Sequence, residues 1–149
     1  MKLLVPVDGS THSMEAIKVA MDYAKMKGAE INVISVVPYI GGMEDHEISP
    51  SRRDRHMESI EKMADEAVRK ACDLLAQEQI TSSCSRTIVT SISVPDAIVE
   101  FAEKEKVNLI IMGSRGLSAS SGFRIGSVAS QVAKASPCSV YLVKVAQES

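Results

Sequence analysis

Apolar residues fall into five short runs along the chain: KLLVPV (2–7), INVISVV (31–37), SRTIVTS (85–91), NLIIM (108–112) and SVYLVKV (139–145). Most are continuously apolar instead of alternating, as expected for strands buried on both faces. The stretches between them repeat at helical spacing. Over 13–27, Ile17, Ala20, Met21 and Ala24 share one face, with Ser10, Thr11 and Ser13 as capping candidates and Gly28 to close the helix. A longer helix opens at Ser49-Pro50 and carries Met57, Ile60, Ala64, Ala67, Ala71 and Leu74 at steps of three and four. A third starts around Pro95 with Ala97, Ile98, Phe101 and Ala102 inward, and a fourth begins at Gly126 and stops at Ser136-Pro137.

Strand and helix alternate throughout, which in a small chain means βαβ units. Parallel crossovers are right-handed in about 98% of cases, so the pattern predicts a doubly wound open sheet. No internal repeat and no linker interrupts it, and residues 1–149 read as a single domain. At 149 residues, folding hides about 68–70% of the surface of the unfolded chain, enough for one core. The segment PYIGGMEDHEIS (38–49), with paired glycines and acidic residues, reads as a surface loop between the second strand and the long helix.

Charge and cysteines remove several function classes. A net charge of −2 is not that of a protein built to coat nucleic acid. The opening MKLLVPVDGS turns polar too early for a signal-peptide core, and no apolar run approaches the ~20 residues of a membrane span, so the chain reads as cytoplasmic. Cys72, Cys84 and Cys138 are odd in number and lack a CxxC, and the scattered His12, His46 and His56 do not complete a metal set. Met14, Met21, Met57 and Met63 read as gap fillers, and Arg52, Arg53 and Arg55 as a solvated helix start.

The candidate chemistry lies in IIMGSRGLSASSGFRIGSVASQVAK (110–134), where a strand runs into Gly113, then Gly116, then, after nine residues, Gly126-Ser127 at the head of a helix. In open α/β sheets ligands bind beyond the carboxyl ends of the strands, where strand order reverses. An order 3-2-1-4-5 puts strands 1 and 4 side by side at that point, whereas 2-1-3-4-5 puts the reversal between strands 1 and 3. In the first case the turn Val7-Asp8-Gly9-Ser10 forms the other wall. Gly113 and Gly116 would let the main chain approach a ligand. The N–H groups and positive dipole end at Gly126-Ser127 suit a phosphate, and Arg115 stands within reach of one. Asp8 also has a plainer use, bracing the turn after strand 1. A Walker A loop requires a lysine after its last glycine, but Ser127 and Val128 follow Gly126. A dinucleotide fingerprint requires GxGxxG after strand 1 and an acidic residue at the end of strand 2, where this chain has Val36-Val37-Pro38-Tyr39. No pair of titratable residues has a spacing that demands catalysis.

Gly113-x2-Gly116-x9-Gly126-Ser127, with the opening VPVDGS, the segment VPDAIVEFAEKEKVNLIIMGSRG and the closing GSVASQVAKASPCSVYLVK, resembles the ATP-binding signature of the universal stress protein family over nearly the whole chain. The resemblance implies a Rossmann-like open five-stranded parallel sheet in the order 3-2-1-4-5 flanked by four helices. It implies ATP, ADP or AMP bound near strands 1 and 4, with a divalent cation carried on the phosphates beside Asp8. Val7 and Asp8 would lie near base and ribose, Val36 and Val37 beside the adenine, and Met112 near the sugar. Gly113, Arg115, Gly116, Gly126, Ser127 and Val128 would carry the phosphates. The resemblance also implies a stress-response switch that turns over ATP slowly or not at all, with a nucleotide-independent scaffold and a slow hydrolase as alternatives. Homodimers are frequent in the family, and the apolar edge strand 139–145 is the surface expected to pair. Ala119 departs from the family pattern, in which another glycine often stands inside the nine-residue loop.

Overall fold

The unbroken apolar runs have their cause in a sheet covered on both sides. In the computed structural model, which describes residues 1–39, 50–83, 85–116 and 124–145, the elements follow one another as β1 (Lys2–Pro6), α1 (Thr11–Lys27), β2 (Glu30–Pro38), α2 (Pro50–Gln77), β3 (Arg86–Thr90), α3 (Val94–Lys104), β4 (Leu109–Gly113), α4 (Ser127–Ala135) and β5 (Ser139–Val143). The five strands form one parallel sheet in the order β3-β2-β1-β4-β5. This is the order that places β1 beside β4, with Leu3 opposite Leu109 and Leu4 opposite Ile110.

Successive strand residues point to opposite faces, and β1 shows it most clearly. Leu3, Val5 and Val7 join Ile17, Ala20 and Leu75 in a core beneath α1 and α2, while Leu4 joins Ile98, Phe101 and Val132 beneath α3 and α4. Leu3, Leu4 and Val5 are each fully buried, and hiding a side chain of that size contributes about 1.5–3 kcal/mol. A polar residue in the run would forfeit that on one face or the other.

Local chemistry sets the helix ends. α1 begins two residues before the periodicity suggests, because Ser10 is the cap: in an extended conformation, its Oγ accepts the Ser13 N–H at 3.2 Å. Ser13, buried inside the first turn, donates its hydroxyl to the Ser10 carbonyl. Gly28 ends the helix at φ 67°, where its N–H reaches the Ala24 carbonyl at 2.7 Å. α3 starts at Val94 behind Ser93, whose Oγ accepts from the Asp96 N–H. The proposed Ser49 cap, nearly all of the 38–49 loop, Cys84 and Ala119 lie outside the described residues. On α2 the innermost residue of the last turn is Leu75, 1% exposed, with Leu74 half-buried, and Met63 is 59% exposed, so it fills no gap.

Candidate functional site

Where β1 and β4 end side by side, the chain leaves β1 through a tightly bonded turn. The Val7 N–H donates to the Ile34 carbonyl at 2.8 Å, holding the last apolar residue against β2. Beyond it Asp8 is exposed, and its Oδ1 accepts the Ser10 N–H at 2.9 Å across Gly9, which sits at φ 83°. Asp8 thus does brace the turn. Its other oxygen, Oδ2, faces β4's side of the crevice: a β-carbon built on Gly116 would fall 2.6 Å from it.

The end of β4 is closed in by its neighbours. A β-carbon on Gly113 would lie 2.7 Å from His12 Cβ and 2.9 Å from the His12 carbonyl carbon, so the first turn of α1 already fills that space. Helix–strand packing is therefore one physical reason for glycine at 113. Ser114, 3% exposed, comes next. It ties three elements together, donating its N–H to the Val143 carbonyl at 2.9 Å and accepting the Gly126 N–H at 2.7 Å. Composition gave no sign of this role; the available signal was a small polar residue wedged between a glycine and an arginine at a strand end.

Gly126 caps α4 in an extended conformation at φ −64°, with no side-chain hydrogen bond to the helix start. α1 and α3, by contrast, are capped by Ser10 and Ser93. A β-carbon at Gly126 would sit 3.3 Å from the Ser114 carbonyl oxygen and 3.5 Å from Arg115 Cα, so the two ends of the glycine stretch touch. Arg115 adds a second link, its Nε donating to the Arg124 carbonyl at 2.7 Å. Ser127 is exposed in the first turn of α4 and Val128 half-buried.

The remaining residues singled out from the sequence divide between the two faces of the sheet. Val37, 2% exposed, packs with Met57 and Ala64 of α2, and Val7, 4% exposed, lies beneath α1. Val36 and Met112 turn to the α3–α4 side. Asp8, Arg115, Gly116 and Gly126 are the members brought together by direct contacts. They form a main-chain turn at a helix start whose cap residue makes no side-chain hydrogen bond, with the Asp8 carboxylate across from Gly116, and a helix start of this kind suits an anion. Among the described residues no three His, Cys, Asp or Glu side chains gather as a metal cluster, and no helix is long and apolar enough to cross a membrane.

A separate hollow of about 630 Å³ lies at the opposite pole, lined by Lys2, Glu30, Thr81, Glu105 and Asn108 among others. None of the candidate nucleotide-site residues borders it. Its acids are engaged, with Glu30 and Glu105 at 3.7 and 4.0 Å from the Lys2 ammonium.

Comparison with known proteins agrees with this fold. The model of the universal stress protein family matches residues 1–144. A universal stress protein of Methanocaldococcus jannaschii is 33% identical, the match covering 96% of this chain and 81% of that protein. One from Bacillus subtilis is 29% identical, covering 96% and 98%. Among solved structures, a universal stress protein from Lactobacillus plantarum superposes with a TM-score of 0.82 at 20% identity, covering 96% of this chain and 97% of that one. A universal stress protein in complex with cAMP gives 0.69 at 25% identity, covering 96% of each. One from Archaeoglobus fulgidus in complex with dAMP gives 0.71 at 23%, covering 97% and 98%.

Proposed function

The chain belongs to the universal stress protein family, and from that premise we propose that it binds an adenine nucleotide, ATP or its relatives ADP and AMP, between the carboxyl ends of β1 and β4. The observation that carries this reading is the Asp8 carboxylate lying against Gly116, next to the packing of Gly126 on Ser114 and Arg115 at an α4 start whose cap residue makes no side-chain hydrogen bond. A nucleotide phosphate supplies the acceptors such a helix start lacks. The main chain of Gly113, Arg115, Gly116, Gly126, Ser127 and Val128 takes the phosphates. Asp8 and Val7 stand toward ribose and base, with Val36 and Val37 beside the adenine and Met112 by the sugar through their main chain at the strand ends, since their side chains divide between the two faces of the sheet. Asp8 carries the negative charge that a divalent cation on the phosphates would balance. The relatives solved with cAMP and dAMP support an adenine nucleotide as the ligand class.

In this reading the protein is a stress-response switch that responds to nucleotide by changing its loop order or its partners. It works as a homodimer, the edge strand 139–145 pairing antiparallel with its copy. β5 stands at an edge of the sheet, a place that invites such pairing, and Tyr141, 49% exposed on it, adds apolar surface.

The direct experiment identifies the nucleotide released by heat from purified protein and measures ATP binding by calorimetry in wild type and Gly126→Val. A branched side chain at 126 would press on the Ser114 carbonyl and Arg115 Cα. Binding should vanish while the fold stays mostly intact. Equal ATP affinity in the two proteins would overturn the assignment. Ser127→Ala should be milder, by about 0.5–1.5 kcal/mol, the net worth of one neutral hydrogen bond.

A further inference from the structure

The Arg115 side chain turns along its own loop. Its Nε–H donates to the Arg124 carbonyl at 2.7 Å, and the neighbouring Gly126 N–H donates to the Ser114 carbonyl, also at 2.7 Å. The two bonds are adjacent rungs joining the outgoing strand end, Ser114-Arg115, to the incoming helix start, Arg124-Ile125-Gly126. One rung is main chain to main chain. The other depends wholly on the identity of residue 115.

We propose that Arg115 is a positioning residue: its side chain clasps the two halves of the cradle through Nε, independently of any charge it brings to a ligand. This rests on the nucleotide reading above for its effect on binding, but the clasp itself is a property of the free protein. Without it, the base of the loop loses one of these two adjacent rungs, and the start of α4 is held less firmly against Ser114-Arg115. A glycine cradle has no side chains of its own to set its width, so its preorganisation must come from outside the glycines.

The chemistry of the side chain offers a clean separation. Glutamine places an N–H donor the same number of bonds from the α-carbon as arginine's Nε, and carries no charge. Lysine keeps the charge but sets its donor one bond further out, and methionine keeps only the stem. A clasp therefore predicts that Arg115→Gln stays within about threefold of wild type in affinity for AMP, ADP and ATP. Arg115→Met should release all three about tenfold faster, by the same factor for each, as for the loss of one hydrogen bond from a charged donor. A charge acting on the phosphates predicts the reverse: Arg115→Lys close to wild type, Arg115→Gln as poor as Arg115→Met, and a loss that grows from AMP to ATP.

A second measurement needs no nucleotide. Hydrogen exchange of the Gly126 amide in the free protein should quicken in Arg115→Met and remain slow in Arg115→Gln, with core amides of β1 unchanged in both. A wild type that bound no adenine nucleotide would sink the assignment of the site and leave this exchange measurement to decide the clasp. Unchanged Gly126 exchange in Arg115→Met, or the charge pattern of affinities, overturns the proposal.

Discussion

The Asp8 carboxylate lies across the bare α-carbon of Gly116, so close that a methyl group there would fall 2.6 Å from Oδ2. Glycine at 116 is thus required by a side chain from the opposite wall of the crevice, and the two walls are fitted to each other. Because Oδ1 is bonded to the Ser10 N–H at 2.9 Å, the carboxylate cannot swing away without breaking its own turn. Gly116→Ala should therefore weaken nucleotide binding about tenfold, ~1.4 kcal/mol. In an Asp8→Ala background the same change should add little further loss, since the obstructing atoms are gone. Calorimetry on the four proteins of this cycle measures the coupling; additive losses would mean that the contact does not matter.

Gly113→Ala should behave differently, acting on stability before binding. Its methyl group meets the main chain of His12 as well as the side chain, at 2.9 Å from the carbonyl carbon and 3.0 Å from the oxygen. α1 must then move off β4, and overpacking of this kind costs about 1–3 kcal/mol. His12→Ala should not rescue it, because the obstructing carbonyl remains. Urea denaturation is the measurement, and a Gly113→Ala protein as stable as wild type would contradict the packing explanation.

Turnover of ATP by pure protein should fall far below the ~10 per second of a typical enzyme. The loop that ends in Gly126-Ser127-Val128 has no lysine to hold the terminal phosphates, and the carboxylate that faces Gly116, Asp8, is bonded to its own turn. Phosphate release at enzyme-like rates from a preparation free of contaminating ATPase would make this an enzyme and not a binding module.

For the dimer, Tyr141→Asp is the informative change. Tyr141 is 49% exposed on the β5 edge, so a carboxylate there should be harmless to the isolated chain and place like charges together in a two-fold pairing of edges. Light scattering at micromolar concentration should show a wild-type dimer and a monomeric variant with an unchanged melting curve. A monomeric wild type removes the proposal.

The sequence revealed the architecture wherever burial alone decided the residue. The inner runs became β1, β2 and β4 because they are sandwiched, and Leu3 and Leu4 could be apolar in succession only under two layers of helix, whereas the edge strands β3 and β5 leave Val89 and Tyr141 exposed. The runs left strand order open between 3-2-1-4-5 and 2-1-3-4-5, and the family resemblance favoured the observed one. Element ends slipped where the choice lay among chemically equivalent neighbours, as between Ser10 and Ser13 at the start of α1, or Leu74 and Leu75 at the end of α2. The glycine spacing marked the cradle but not what each glycine is for. Gly113 answers to His12 and Gly116 to Asp8, partners more than a hundred residues away in sequence, and no local pattern encodes such a meeting. Ser114 went unnoticed for the same reason, its bonds running to Val143 and Gly126.

β1 is a party wall. Its odd-numbered residues belong to one half of the core and Leu4 to the other, so neither layer of helices can loosen without stripping one side of the same strand. The two halves should melt together, with the amides of β1 the last to exchange. Any ligand that grips Asp8, at the end of that strand, then braces both layers at once, and its binding free energy is added to the stability of the whole domain instead of to a loop at its rim.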